Sequence, residues 1–86
     1  MNDKFIIYGI FDLNTNELGY IGQTNSLERR KRRHLNPTRR AMRRIDYWMR
    51  KRNYEIKFVE LFECERKDAN NKEAEFKKNL NPSILD

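Results

Sequence analysis

Cysteine and long hydrophobic runs are almost absent from this sequence of 86 residues. Its one cysteine, Cys64, excludes an internal disulfide and a metal site built from several cysteines, which fits a reducing cytoplasm. We expect Cys64 to be an ordinary residue near a strand end. The apolar run "FIIYGIF" at 5–11 is far too short to span a bilayer, and no signal peptide or lipidation motif is present. The sequence therefore predicts a cytoplasmic protein with no membrane partner.

Acidic residues are scarce in the middle of the chain, where basic residues are dense. Residues 29–52 carry twelve basic side chains and one acidic side chain, whereas residues 1–28 carry one base and four acids. The formal net charge of +6 is therefore concentrated in one block. Apolar residues at helical spacing run through this block, which argues against a flexible basic tail. Such a block is typical of a surface that binds phosphate, so nucleic acid is favoured over a membrane surface or an acidic protein.

Three segments have the composition and the alternating pattern of β-strands. They are residues 5–11, 18–22 and 55–63. The turn residues of "DLNTNELG" predict that the first two strands form an antiparallel hairpin. Since side chains alternate between the faces of a strand, the hairpin would bring Tyr8 close to Tyr20. The groups expected to share a face are Ile6, Tyr8 and Ile10 in the first strand, Leu18, Tyr20 and Gly22 in the second, and Ile56, Phe58 and Phe62 in the third, opposite Val59 and Leu61.

Three further segments are predicted to be helical, at residues 27–35, 38–52 and 68–80. Ser26 is a good N-cap for the first helix. Asn-Pro pairs at 36–37 and 81–82 end the first and third helices, because proline disfavours helical geometry in the residue before it. The apolar stripe of the second helix consists of Met42, Ile45, Trp48 and Met49. The order β-β-α-α-β-α predicts one α+β domain, residues 1–86, with a small three-stranded antiparallel sheet flanked by three helices.

Glu73 interrupts the apolar stripe of the third helix. The stripe contains Ala69, Phe76 and Leu80, and Glu73 lies four residues after Ala69 on the same side. A carboxylate that faces a core loses its hydration unless a cation compensates it. Glu73 therefore needs either a basic partner or a metal ion, and the pattern leaves both open. Glu75 points the other way and is typical of solvated surface.

The first helix places the chain's one histidine beside an arginine. Arg30 and His34 are four residues apart, so they project from the same side of the helix. Arginine offers a planar set of donors to phosphate oxygens, and histidine can move protons near neutral pH. A tyrosine near strong positive charge could act as a base or position a water molecule. Each feature alone has an ordinary structural explanation, and their combination indicates a site.

Four segments in order, "IIYGIF", "GYIGQT", "LERRKRRH" and "KEAEFKKNLNP", resemble the GIY-YIG nuclease family. The resemblance extends from about residue 5 to residue 82. The second motif is intact as Tyr20-Ile21-Gly22. The first is degenerate, because Ile6-Ile7-Tyr8 stands where Gly-Ile-Tyr is usual. In many members an asparagine follows the proline of the last segment, whereas this chain has Leu85 there. Either Asn81 or Asp86 substitutes for it, or the role is missing.

The resemblance implies a divalent-metal-dependent endonuclease that hydrolyses phosphodiester bonds in DNA, with weak or structure-based specificity. The catalytic residues it implies are Tyr8, Tyr20, Arg30, His34 and Glu73. Glu73 would hold Mg²⁺ or Mn²⁺, and Tyr8 would activate or position the attacking water with help from Tyr20. His34 would hydrogen-bond a tyrosine or relay its proton, and Arg30 would neutralise charge in the transition state.

The basic block then becomes the expected nucleic-acid surface. Its candidate phosphate contacts are Arg32, Arg33, Arg39, Arg40, Arg43, Arg44 and Lys51. We expect a stand-alone domain whose partner is DNA, with RNA not excluded, and which acts alone, as a homodimer or with a targeting protein. Two alternatives stay open. One is a catalytically silent nucleic-acid-binding module that keeps the nuclease fold, and the other is a small interaction protein that occupies or imitates a nuclease site.

Overall fold

The computed structural model describes residues 3–36 and 43–84, which form three strands and three helices in the predicted order. The elements are β1 (Lys4–Asp12), β2 (Leu18–Thr24), α1 (Leu27–Leu35), α2 (Arg44–Lys51), β3 (Ile56–Glu65) and α3 (Arg66–Leu80). The predicted α+β class and the order β-β-α-α-β-α are confirmed. None of the helices in these two ranges is long and apolar enough to cross a membrane.

The strands form one antiparallel sheet in the order β2-β1-β3. β1 is therefore the central strand, with Tyr8 opposite Gly22 of β2 and Ile10 opposite Tyr20. Beyond α3 the chain returns to the outer edge of β2, where the amides of Ser83 and Ile84 donate to the carbonyls of Leu18 and Gly19. This pairing satisfies backbone groups that an edge strand would otherwise expose.

Helices cover both faces of the sheet. One face, here called the tyrosine face, carries Tyr8 and Ile10 and packs against the α2 residues Ile45 and Met49 in the main core. The opposite face carries the fully buried Ile7. Both partners of Ile7 across the sheet contact α3: the side chain of Gln23 donates to Asn70, and the ring of Phe62 lies 5.8 Å from that of Phe76. Residues of α1 and α2 can thus contact side chains on one face of β1, and residues of α3 can contact those on the other.

A bulge in β2 changes the face on which Leu18 lies. The register shifts between Ile10 and Phe11, so that Tyr20 and Leu18 pair with consecutive residues of β1. A Cβ added at Gly9 would lie 3.1 Å from Leu18 Cδ1, which places Leu18 on the α3 face. The expectation that Leu18 shares a face with Tyr20 was therefore wrong, because one extra residue in a strand shifts the alternation.

A second bulge lies in β3, between Glu60 and Phe62. Tyr8 pairs with Glu60 and Ile7 with Phe62, so Leu61 is the extra residue. Phe58 consequently packs on the tyrosine face, whereas Phe62 lies on the α3 face against Phe76. The prediction that Phe58 and Phe62 share one face was wrong for the same physical reason.

Local hydrogen bonds explain where the helices begin and end. α1 has the predicted bounds, and the Ser26 hydroxyl accepts from the Arg29 amide at 3.3 Å. α2 begins at Arg44 instead of Thr38, since the Asp46 carboxylate accepts from the Arg43 amide at 2.7 Å and Arg43 is extended. Residues 37–42, including Thr38 and Met42, lie outside the described residues.

The last turn of α3 differs from the predicted apolar stripe. Leu80 is 45% exposed, although it was expected to face inward with Ala69. Asn81 has left-handed geometry, with φ of 51°, and turns the chain back towards β2. Pro82 and Ile84 are the residues that become buried there, because the turn directs them and not Leu80 towards the sheet.

We predict that Gly19→Ala lowers the free energy of unfolding by about 1–3 kcal/mol, as overpacking does in a filled core. A Cβ at Gly19 would overlap the indole ring of Trp48, which packs against the main core and is covered by the Arg52 guanidinium at 3.9 Å. Urea unfolding measures the effect. In a Trp48→Leu background the added methyl group has room, so the loss should shrink. An equal loss in both backgrounds would contradict the overlap.

Candidate active site

The hydroxyl of Tyr8 is hydrogen-bonded to His34 in the interior of the protein. Tyr8 lies in the central strand with 1% of its surface exposed, and His34 on α1 is 5% exposed. The Tyr8 oxygen and His34 Nε2 are 3.0 Å apart. The bond joins two of the residues that the sequence nominated, although they are 26 positions apart.

Three aromatic rings surround the imidazole of His34. Its centroid lies 6.0 Å from that of Tyr8, 5.6 Å from Tyr20 and 5.8 Å from Phe58. The two tyrosine rings are 6.2 Å apart, as the hairpin predicted. Phe58 was not recognised as part of this site. The observation that identifies Phe58 is its pairing with Ile10, which puts it on the tyrosine face. This pairing depends on how the strands align in the sheet and cannot be read from one strand alone.

Gly22 leaves the space that the Tyr8 hydroxyl occupies. A Cβ at this position would lie 2.6 Å from the hydroxyl oxygen and 2.9 Å from the ring of Tyr20. Gly22 does not have a positive φ, so backbone conformation does not require a glycine here. The close approach of the two tyrosines does require it.

Burial controls the protonation of the hydrogen-bonded pair. It raises the pKa of the Tyr8 phenol, and Tyr20 raises it further, while the charge of Arg30 opposes them. Burial also lowers the pKa of His34 to about 4, and the charge of Arg30 adds to this effect. At neutral pH the phenol is therefore protonated and the imidazole neutral. The consistent arrangement is that Tyr8 donates its proton to the Nε2 lone pair of His34.

Arg30, whose charge acts on the pKa values of this pair, also lines a polar surface pocket. The pocket has a volume of about 200 Å³ and is lined by Thr24, Asn25, Arg29, Arg30 and Arg33. Arg29 also donates to the Asn25 side chain at 2.7 Å. Three guanidinium groups around one small pocket make it suited to an anion such as a phosphate group.

Glu73 approaches the same centre from α3. Its charge is among the smaller causes that raise the pKa of Tyr8. Its side chain is 21% exposed, and Lys77 Nζ lies 2.8 Å from its carboxylate. The sequence left a basic partner and a metal open for Glu73, and the structure supplies the basic partner. The i, i+4 spacing was the signal for it.

The donor set suits a metal that needs few protein ligands. Within residues 3–36 and 43–84, no group of three or more histidine, cysteine, aspartate or glutamate residues could hold a metal ion. Glu73 would be a single carboxylate ligand. Mg²⁺ commonly binds one or two carboxylates and completes its shell with water and substrate phosphate, so a site at Glu73 fits Mg²⁺ and excludes a multi-ligand zinc centre.

Most predicted phosphate contacts lie at the surface. Those that the structure describes are exposed, namely Arg32, Arg33, Arg43, Arg44 and Lys51. The charge of Arg43 is among the smaller causes that act on the pKa values of Tyr8 and His34, opposing the rise for Tyr8 and adding to the fall for His34. Arg39 and Arg40 lie outside the described residues, as do Leu85 and Asp86. Asn81 is exposed at the end of α3.

Tyr8 interacts with each of the other four nominated catalytic residues. Tyr20 and His34 contact its ring, and Arg30 and Glu73 are close enough to shift its pKa. This arrangement combines a proton donor and acceptor, cations beside a pocket, and one carboxylate. Their individual roles in a reaction stay predictions.

The pKa of His34 predicts a pH-dependent stability. Above pH 6.5 the imidazole is neutral in both states; below it the unfolded chain binds a proton that the folded protein excludes down to about pH 4. The free energy of unfolding should therefore decrease as the pH is lowered from about 6.5 to about 4. Between pH 7 and pH 5 we expect the loss to be about 2 kcal/mol greater than in His34→Gln. Urea unfolding at several pH values tests this, and parallel curves for the two proteins would contradict it.

Comparison with known families agrees with the motifs. The family model described as the GIY-YIG catalytic domain matches residues 4–84, nearly the whole chain. No curated protein and no solved structure gives a significant match. The match spans the strands that carry both tyrosines, the helix of Arg30 and His34, and the helix of Glu73. The chain therefore belongs to the GIY-YIG catalytic domain family, which implies nuclease-type activity.

Proposed function

We propose that the protein is a divalent-metal-dependent endonuclease that cuts DNA with weak or structure-based specificity. The observation that carries this proposal is the buried hydrogen bond between the Tyr8 hydroxyl and the neutral imidazole of His34. A phenol held in this way can accept a proton on its oxygen and release its own proton to the nitrogen. Hydrolysis of a phosphodiester needs such a route for the proton of the attacking water.

Tyr8 and His34 act as a pair in the proposed proton transfer. The attacking water gives a proton to the Tyr8 oxygen while the phenolic proton moves to His34 Nε2, and the hydroxide forms the new bond to phosphorus. Tyr20, whose ring adjoins both residues, helps to fix their geometry. The bond to the leaving oxygen breaks, and that oxygen takes a proton from solvent.

Arg30 connects phosphate binding to this proton transfer. Its charge is a cause of the lowered pKa of His34. When a phosphate group occupies the adjacent pocket, its negative charge offsets that of Arg30 and the imidazole becomes a better proton acceptor. Arg30 also stabilises negative charge that develops on the phosphate oxygens. The base thus becomes stronger when substrate is bound.

Glu73 would hold Mg²⁺ or Mn²⁺. A bound divalent ion would neutralise charge on the phosphate and stabilise the leaving oxygen. Release of the Glu73 carboxylate from Lys77 would free it for this role.

The basic block supports a polyanionic substrate. Among the ten basic side chains described in 29–36 and 43–52, only Arg52 forms a salt bridge within the described parts of the chain. The other charges are not neutralised by carboxylates of the described chain and are available to phosphates. Contacts of this kind position a nucleic acid without reading its sequence, which supports the weak specificity.

The degenerate first motif does not displace the candidate site. Ile6 stands where the family has glycine, and its side chain packs against the main core. Tyr8, two residues later on the same face, still reaches His34. This observation favours the enzyme over a catalytically silent binding module, which remains the alternative that the following experiment tests.

We expect cleavage of nucleic acid in Mg²⁺ or Mn²⁺ and none in chelator. The substrates are supercoiled plasmid, branched DNA and structured RNA, so that the preferred one is identified in the same assay. Glu73→Gln should reduce cleavage to background and abolish the rise in melting temperature that Mg²⁺ causes. Glu75→Gln, two residues away on the exposed side and paired with Lys72, is the matched control and should cut normally.

Binding of nucleic acid without cleavage in either metal would show that the protein is a binding module and would contradict the proposed endonuclease activity. Equal loss in Glu73→Gln and Glu75→Gln would overturn the metal site.

A second prediction concerns the space beside Tyr8. Gly22→Ala should reduce the cleavage rate by about a hundredfold, because the new methyl group displaces the hydroxyl that His34 holds. Gly9→Ala adds the same group on the α3 face, where it meets side-chain ends of Phe11 and Leu18, and should retain most activity. Rates are compared at a temperature where both variants are folded. Comparable rates for the two would contradict the importance of this space.

A further inference from the structure

The outer face of α2 carries a tyrosine between two cations. Arg44, Tyr47 and Lys51 are spaced by three and four residues, so they form one stripe along the helix. All three are exposed, and Tyr47 has 58% of its surface accessible. Ile45 and Met49 fill the buried side of the same helix. Tyr47 is therefore not needed for the core, and its ring is available to a ligand.

The stripe borders a surface groove. The groove has a volume of about 470 Å³, and its lining includes Trp48, Arg52 and Ile84 beside the stripe. Its one carboxylate, Glu17, is paired with Arg52 at 3.3 Å and accepts a hydrogen bond from the Ser83 hydroxyl. An apolar floor with basic walls is complementary to an aromatic base joined to phosphates.

The stripe begins at the end of α2 that packs beside Tyr8. Ile45, two residues after Arg43, packs in the same core cluster as Tyr8, and the charge of Arg43 is among the causes that act on the pKa values of Tyr8 and His34. Lys51 is the last residue of α2, about 10 Å beyond Arg44 along the axis at the rise of an α-helix. A strand whose phosphate lies at Arg30 could thus continue past Arg43 along the stripe.

We propose that the Arg44–Tyr47–Lys51 stripe binds an unpaired strand of the nucleic-acid substrate, with one base stacked on Tyr47 and phosphates held by Arg44 and Lys51. The inference rests on the proposed function for its substrate and adds the substrate's form. Bases in a duplex are already stacked on their neighbours, so an exposed tyrosine on a convex helix reaches them only where the strand is unpaired. Flaps, forks and loops are then preferred over continuous duplex.

Fluorescence anisotropy in chelator tests the stripe independently of cleavage. A labelled single strand and its blunt duplex are titrated with the full chain and with Tyr47→Ala. The variant should bind the single strand about fivefold to a hundredfold more weakly, the range expected for loss of one stacked base, and the duplex less than twofold more weakly. Tyr47→Phe keeps the ring and should bind as the unchanged protein does.

The matched control is Tyr54→Ala, which removes another exposed tyrosine that does not line the groove and should leave both affinities unchanged. A strand with 2-aminopurine at each position in turn reports stacking directly: one position should change fluorescence on binding, and Tyr47→Ala should abolish that change. Arg44→Gln and Lys51→Gln should each reduce the salt slope of binding by about one.

The outcomes separate this inference from the proposed function. Tight single-strand binding that depends on Tyr47, without cleavage in metal, would support the stripe and overturn only the enzyme. Cleavage with equal effects of Tyr47→Ala on single strand and duplex would keep the enzyme and overturn the stripe. If an acidic peptide displaces the labelled strand as effectively as an unlabelled strand does, the stripe would also be overturned, since the groove would then recognise charge alone.

Discussion

The hydrogen bond between Tyr8 and His34 is the contact on which both folding and the candidate chemistry depend. It joins the central strand to α1 in the interior, where either polar group left without a partner would cost about 1–3 kcal/mol. Gly22 makes the contact possible by leaving room for the phenol. Burial in turn keeps the phenol protonated and the imidazole neutral, the one pairing that satisfies both. The candidate site is therefore a part of the core with few ways to rearrange.

Two bulges allow a three-stranded sheet to serve both of its faces. β1 keeps a regular alternation, so Tyr8 faces α1 and Ile7 faces α3. Each neighbouring strand instead contains one extra residue opposite β1. In β3 the extra residue sends Phe58 to the histidine and Phe62 to Phe76 of α3. On one face of the sheet, β3 thereby packs Phe58 against His34. On the other face it packs Phe62 against α3, the helix that carries Glu73.

The predictable parts of the fold are those with a local cause. α1 has its predicted bounds because a serine caps it and an Asn-Pro pair follows it. Glu73 could be nominated because one polar residue in an apolar stripe is visible without a structure, and its charge is among the causes that raise the pKa of Tyr8. The bulges could not be predicted, because the alternation within a single strand says nothing about an unmatched residue in its pairing. The start of α2 was predicted too early because the apolar period in the sequence begins before Arg44. The helix begins at Arg44, where the Asp46 carboxylate accepts a hydrogen bond from the Arg43 amide.

The placement of charge separates folding from binding within one basic block. Arg52 is used for folding: it pairs with Asp12 at 2.8 Å and covers Trp48, which ties the turn between β1 and β2 to the end of α2. The exposed arginines of α1 and α2 have no such pairing in the described parts of the chain, so their mutual repulsion opposes the folded state. A polyanion that binds them removes this repulsion and also stabilises the fold by mass action. The same charges that weaken the free protein would therefore strengthen a complex with a polyanion.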